Sequence, residues 1–430
     1  MADGRFKTVL FTYATVIIAS SGSLLCGIWD EWSQMSGINV HRHAYVYGGL
    51  FIVGYLLSVV GRKPTIALIG PLYVVCWSVV LVLPSVPLLN FMVNVFVGTS
   101  KAMAFVTIPV YVGEVAEVNY RGSALTIFAI MYTMGSTLMQ AAGLVLTHQQ
   151  LCVMGLSLSV VFSVLFITGV PESPYYYAQM DHDVMANKSL RRIRGRDDVS
   201  VELADIEHTV DVHMIPNRNG YCELLINEAT WKAFFSTAMS HFVQAHCGYI
   251  QFKRSIHALL PFKNVWMRPE IAFIWMSVIE NFGNLITALL VERLGRKPLM
   301  ILSYSAMAIV QMVVMILPIP APRIPWAPIV LMWLHGLSFG LGAASLSSTL
   351  LGEMFTMNIK TKAVPLCVLI LHISFMNIMN VQAEGWPVTN FQFALCIIIN
   401  IAWIIYTKYN MVETKGKTFL EIQKLLTLKS

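Results

Sequence analysis

Long, uninterrupted apolar runs alternate with short polar breaks along this 430-residue chain. Most runs reach the roughly 20 residues a helix needs to cross the hydrocarbon core. They are continuous, which excludes a membrane barrel built from segments of about ten residues of alternating polarity. The pattern predicts spans over 8–29, 44–60, 65–83, 86–112, 122–146, 150–170, 232–252, 270–291, 298–318, 326–352, 363–383 and 389–408, the second being the shortest. The fold class is an all-α polytopic membrane protein with twelve transmembrane helices. One long polar stretch, 175–230, separates the sixth span from the seventh. It contains "KSLRRIRGRDDVSVELADIEHTV" and predicts short amphipathic helices whose basic run is a solvated, membrane-adjacent face.

Composition agrees: 56% of residues are hydrophobic and 12% charged, against about 25% charged in a soluble domain. The net charge of +6 arises from Lys and Arg between apolar runs, where they set orientation, so it carries no nucleic-acid signal. The seven cysteines are scattered without CxxC spacing, so no metal site or disulfide frame is expected. The first run is longer than a signal-peptide core and counts as a spanning helix. With the amino terminus inside, the outer segments hold few cations: Arg42, Lys253, Arg254, Lys263, Arg268 and Arg323. Both termini and the linker are therefore expected in the cytosol, and the sequon at Asn187 is expected to carry no glycan.

The basic turn "GRKP" occurs twice, at Gly61–Pro64 and Gly295–Pro298. After the fourth span comes "YVGEVAEVNYRGSA", with Glu114 and Arg121; after the tenth comes "LLGEMFTMNIKTKA", with Glu353 and Lys360. "PES" at 171–173 follows the sixth span, and "VET" at 412–414 follows the twelfth. The order and near-constant spacing describe two parallel-related six-helix bundles. The expected domains are 1–174, a linker over 175–230, a second bundle over 231–411 and a tail over 412–430. Transporters built this way hold substrate near the midplane between the halves. The repeated acids and bases are expected to bridge helix ends when the cytosolic side is shut and to part when it opens.

These motifs resemble the sugar porters of the major facilitator superfamily. The matching segments are "GYLLSVVGRK", "PVYVGEV" with the following "RG", "PESP", "VERLGRKPL", "GEMFTMNIK" and "VETKGKTFLEI". "PESPYYY" and the "NIK" after "GEMF" look most like insect facilitated trehalose and glucose transporters. The resemblance implies two bundles rocking about a central site. It also implies a cytosolic gate of Arg62, Glu114, Arg121, Glu172, Arg296, Glu353, Lys360 and Glu413. The chain departs from the family pattern at Ser58, where an Asp is usual, at Asn94, where an Arg is usual, and at Ala129, where a Gln is usual. It also departs in "FVQAHCGYIQ", which keeps Gln244 alone, and in "GLGAASLSS" of span ten.

Polar residues at membrane depth face a cavity or a partner helix. The substrate-binding candidates are Gln244, Glu280, Asn281, Asn284, His335 and Asn377, with Gln140, His246 and Asn380 as further polar residues in spans. Trp333 and Phe339 offer faces for sugar stacking. Lys101 and Glu280 each lie about 20 Å from the inner ends of their helices at 1.5 Å per residue, and are expected to pair across the cavity. The expected activity is facilitated diffusion of a hexose or trehalose by alternating access at the plasma membrane. The expected protein is not an enzyme and needs no cofactor. The partners are a sugar and the lipid bilayer, with no nucleic acid; a monomer is one open reading. A sugar sensor or transport-inactive paralogue, and a proton-coupled sugar or polyol symporter with Glu280 as carrier, stay open as alternatives.

Overall fold

The computed structural model describes residues 2–36, 42–83, 86–213, 221, 223–253, 267–316, 326–383 and 390–428, and every described element is helical. The first half runs α1 (Ala2–Met35), α2 (Arg42–Val59), α3 (Arg62–Ala67), α4 (Ile69–Val82), α5 (Pro87–Val115), α6 (Arg121–Gly143) and α7 (His148–Gly169). Three short helices form the linker: α8 (Pro174–Gln179), α9 (Asp183–Arg194) and α10 (Ser200–His213). After α11 (Glu223–Ile226), the second half runs α12 (Glu228–His246), α13 (Pro269–Leu294), α14 (Arg296–Ile316), α15 (Ala327–Ser338), α16 (Ala344–Glu353), α17 (Met357–Ala383) and α18 (Asn390–Tyr409). The tail helix α19 covers Phe419–Leu428.

Among the described residues, ten helices are long and apolar enough to cross a membrane. The second predicted span is the shorter apolar stretch Val46–Val59, and the seventh is α12. The chain is a multi-pass membrane protein of twelve-helix architecture. Helix α13 packs on α6 and α17 on α2, two equivalent contact lines between the halves, and α16 also packs on α5 and α6. The six described cysteines are free and buried; Cys222 lies outside the described residues.

Close helix approach depends on small residues. A Cβ on Gly27 of α1 would lie 2.0 Å from the Tyr132 carbonyl oxygen of α6, and one on Gly135 of α6 would lie 2.1 Å from that of Leu24. Glycines let the two backbones meet without side chains between them. Beside this contact Trp29, Trp32 and Trp77 interlock at centroid distances of 4.5–5.1 Å.

Two membrane helices break, and both breaks are satisfied by side chains. Helix α12 stops at Cys247–Gly248, where Gly248 takes φ 94, and helix resumes over 249–253. The Cys247 carbonyl then accepts from Gln311 Nε2 at 2.5 Å and Asn400 Nδ2 at 3.3 Å. Between α15 and α16 the chain widens into a π turn over Phe339–Ala343. Ser303 fills that break: its Oγ donates to the Ser338 carbonyl at 2.6 Å and accepts from Ala343 N at 3.0 Å. Backbone groups released at membrane depth need such partners, because lipid offers none.

The linker helices have their own small core of Ala186, Leu190, Leu203, Ile206 and Val210. Arg194 ties it to the bundle: Nη2 meets Glu202 at 2.6 Å and Nη1 donates to the Val115 carbonyl at 2.9 Å. The end of the bundle that carries these helices is called the linker end below.

Gly27→Val is expected to abolish the monodisperse folded protein in fluorescence-detected size exclusion, since no rotamer clears a carbonyl 2.0 Å away. A wild-type elution profile would contradict the α1–α6 contact.

Candidate functional site: paired charge clusters at the linker end and a polar belt at mid-depth

Each GRKP turn builds the same device. Gly61 and Gly295 take φ 106 and 96 as the residues preceding α3 and α14. A Cβ on either would lie 2.7 Å from a carboxylate oxygen, of Glu172 or Glu413 respectively. Glycine is required there by both backbone and space. The first N–H groups of a helix lack intrahelical acceptors and favour an anion. In the first half Lys63 N donates to both oxygens of Glu172 at 3.0 Å. In the second, Arg296 N and Lys297 N donate to Glu413 at 3.0 and 2.9 Å. Proline at the third helical position, Pro64 or Pro298, removes a donor that needed no partner. Glu172 lies outside the spans; burial holds its carboxyl above the usual range, opposed by the backbone donors Ser173 N and Lys63 N.

The arginine of each turn reaches inward to the glutamate closing the fourth or tenth span. Arg62 Nη2 meets Glu114 Oε1 at 3.0 Å, and both residues are at most 2% exposed. Arg296 holds Glu353 through two bonds, Nη2–Oε1 at 2.6 Å and Nε–Oε2 at 3.1 Å. The other carboxylate oxygen of Glu114 accepts from Ser173 Oγ, and Glu353 Oε2 accepts from Thr414 Oγ1, both at 2.5 Å. Those hydroxyls directly follow Glu172 and Glu413. Ser173 and Thr414 escaped sequence reasoning although "PES" and "VET" both carry a hydroxyl at that position.

The halves then differ. Arg62 adds Gln179 Oε1 at 3.0 Å, whereas Arg296 adds Glu292, Nη1–Oε2 at 2.9 Å. Glu292 also crosses to the other half: Oε1 accepts from Gly122 N at 2.7 Å and Ser123 N at 3.2 Å at the start of α6. Ser58, the matching residue of the first half, is exposed and donates only into its own helix, to the Tyr55 carbonyl. Arg121 and Lys360 depart from the expected acid–base bridging. No ion pair within 4.0 Å joins either to a carboxylate among the described residues, and both stand over the ring of Phe419 instead.

At mid-depth a polar belt joins α6 to α13. Asn281 Oδ1 accepts from Thr133 Oγ1 at 2.6 Å, Asn281 Nδ2 donates to Thr137 Oγ1 at 3.3 Å, and Ser277 Oγ donates to Gln140 Oε1 at 3.2 Å. Glu280 is buried and accepts from Tyr249 OH at 2.5 Å; the Tyr249 ring stacks on Phe339 at 4.2 Å. Asn284 is fully buried with both amide atoms unpartnered among the described residues.

Several expectations change. Lys101 does not meet Glu280: its Nζ pairs with Asp30 Oδ2 at 2.6 Å, where Tyr132 OH also donates at 2.8 Å. Helix α1 carries Asp30 and Glu31 beyond the predicted end of its span, and Glu31 lies 3.6 Å from Lys253. Gln244 Nε2 is engaged by the Ala344 carbonyl at 3.1 Å, bracing α12 on α16. His335 is a packing residue, stacked on Phe252 at 4.7 Å and 3.1 Å from Gln311. Trp333 packs on Trp275 and donates to the Ala272 carbonyl. Asn377 is exposed, and the side chain of Asn380 lies outside what is described.

Two equivalent six-helix halves, each closed at one end by an Arg–Glu pair and a helix-capping acid, match a known pattern. The family model described as "Sugar (and other) transporter" matches residues 46–426. The chain belongs to this transporter family. Among relatives, the sugar transporter ERD6 of Arabidopsis thaliana is 24% identical over 99% of this chain and 89% of its own length. The facilitated glucose transporter member 2 of Sus scrofa is 25% identical over 73% of this chain and 62% of its own length. The facilitated trehalose transporter Tret1 of Aedes aegypti is 24% identical over 88%, with the transporter spanning about half, 48%, of that relative. The proton:xylose symporter XylE bound to 6-bromo-6-deoxy-D-glucose shares the fold, with TM-score 0.79, 17% identity and 99% of each chain covered. Its inward-open form from E. coli gives 0.62 at 18% identity over 97% of this transporter.

Removing one partner of a buried ion pair leaves an uncompensated charge and costs about 3–5 kcal/mol. Arg296→Ala and Glu353→Ala are each expected to lower thermal stability in detergent by that order. The double variant should cost less than their sum, with a coupling of about 1–3 kcal/mol. Strict additivity would contradict the pairing.

Proposed function

We propose that this chain carries a hexose or trehalose across the plasma membrane by facilitated diffusion and alternating access. Sugar is the cargo and the bilayer the medium; transport of this kind makes no covalent intermediate. In this reading the chain works as a monomer, and both termini and the linker end face the cytosol, in keeping with its Lys and Arg distribution. The observation that carries the reading is the duplicated charge cluster. The same arginine, glutamate, hydroxyl and capping acid recur at the linker end of both halves. Glu292 bonds the start of α6 across the halves, so this end is held shut. The names of the relatives, which include transporters of glucose and of trehalose, support a sugar as cargo.

The belt supplies what a sugar needs. Asn281 bonds across the halves, Glu280 and Asn284 share its helix α13, and the unpartnered Asn284 amide is the group with most to gain from hydroxyls. Gln244 contributes through the amide oxygen that its bond to Ala344 leaves over. When the linker end opens, α13 must move against α6, so the Thr133–Asn281–Thr137 bonds must exchange. Bound sugar and gate thus share one interface.

Purified protein in liposomes should take up labelled D-glucose or trehalose saturably, with no dependence on a pH gradient. Asn284→Ala should lower the transport efficiency by about tenfold or more, the scale of a lost buried hydrogen bond to substrate. No uptake of either sugar would favour the sensor or inactive paralogue. Uptake driven by an inward proton gradient, and made insensitive to it by Glu280→Gln, would favour the symporter.

A further inference from the structure

Among the described residues, two cations of the charge cluster have no acid within bonding distance, yet both are buried. Lys360, in the first turn of α17, is fully buried and its Nζ has no hydrogen-bond partner among the described residues. Arg121, at the start of α6, is 4% exposed; its Nε is unpartnered and its Nη1 reaches only the Lys417 carbonyl, at 3.5 Å. A buried charge needs a compensating partner. The one on hand is an aromatic ring from the tail. Phe419, 3% exposed, places its ring centroid 4.3 Å from the Arg121 guanidinium carbon and 4.4 Å from Lys360 Nζ. Both distances lie inside the about 6 Å range at which a ring quadrupole attracts a cation. The ring also meets Tyr175 of α8 edge-on at 5.9 Å.

These three neighbours belong to three different parts of the molecule. Arg121 opens a helix of the first half, Lys360 a helix of the second, and Tyr175 lies in the linker. Phe419 itself is held from behind. Gln423 Nε2 donates to the Met354 carbonyl at 2.9 Å, Lys232 Nζ reaches the Leu426 carbonyl at 3.4 Å, and Ile422 and Leu426 are buried in the main core. The tail helix is thereby fixed to the second half, with its first residue inserted between the halves. On the α6–α13 line, Glu292 bonds across the halves. On the α2–α17 line, Ser58 stands in the matching place and makes no such bond.

The geometry points to Phe419 as a positioning residue of the gate, whose ring draws Arg121 of one half and Lys360 of the other together and so holds the linker end shut. Both holds meet at the start of α6: Glu292 accepts from Gly122 N and Ser123 N through a carboxylate, and the ring stands over the adjoining Arg121 and reaches Lys360 at the start of α17. The proposal rests on the transport reading for its functional consequence, but not for its structural one. Opening of the linker end requires the ring to give up at least one of the two cations.

The test compares Phe419, Phe419→Leu, which keeps apolar bulk without a π face, and a ring-fluorinated phenylalanine, which keeps the shape and cancels the quadrupole. The first readout needs no sugar: the rate at which a cysteine at Ser348, near the linker end of α16, reacts with a soluble maleimide, set against the parent lacking that cysteine. Phe419→Leu and the fluorinated ring should both speed labelling about five- to tenfold, the scale of one cation–π contact per cation. Adding Lys360→Met to Phe419→Leu should change it little further. The second readout is transport. Both ring variants should raise the KM for influx and lower that for efflux, since the competent outward population falls, with maximal rates moving less. Unchanged labelling in both variants would overturn the proposal. Faster labelling in Phe419→Leu alone would overturn it too, because the ring would then act by shape only. A labelling change without transport by any form would sink the sugar-transport reading and leave the latch standing.

Discussion

A guanidinium and a carboxylate buried together at a helix end set the terms for everything else at the linker end. Neither ion is stable in that position alone, because burial takes both out of solvent. Each pair is therefore backed by further bonds. Glu114 accepts from Arg62 on one oxygen and from Ser173 on the other, while Glu353 accepts from Arg296 on both and from Thr414 on Oε2. The capping acids Glu172 and Glu413 in turn bind the helix that presents the arginine. Three sequence segments of each half are thus fixed together, and the glycines at 61 and 295 follow from the closeness of the capping acids.

The two halves repeat that pair but close on one another differently. Where the second half offers Glu292, the first offers Ser58, and a tail aromatic stands over Arg121 and Lys360 at the starts of α6 and α17. A gate locked by one acid and one ring is weaker and less symmetric than a gate locked by two acids. Such a design suits a protein whose two end states must differ by only a few kcal/mol for either to be visited. The mid-depth belt belongs to the same balance, since the α6–α13 interface carries both the Asn281 bonds and the Glu292 bonds.

Much of this was legible in the chain. The duplicated "GRKP", the paired glutamates and the acids of "PES" and "VET" specify the repeat and the clusters, because buried charges demand partners at fixed places. The rest depended on distances that spacing does not encode. Asp30 was read as lying beyond the first span, because apolar runs are ended at the first charge. In the fold α1 continues to Met35, and Asp30 finds Lys101 there. Gln244 and His335 are polar residues of spans, yet one braces α12 on α16 and the other fills a core. Phe419 lies in a segment matched to the family, but nothing local to "TFLEI" announces that its ring meets two cations far apart in sequence.

The central claim is that the buried pairs, each within one half, position the groups that join the linker ends of the two halves, Glu292 above all. It is tested most directly by pulsed electron resonance distances between spin labels at Ser58 and Leu294, exposed residues at the linker ends of α2 and α13. In membranes the unmodified charge clusters should give one narrow, short distance, and Glu114→Gln with Glu353→Gln should shift the population to longer distances by several ångströms. A distribution that is the same with the glutamates neutralised would contradict the account.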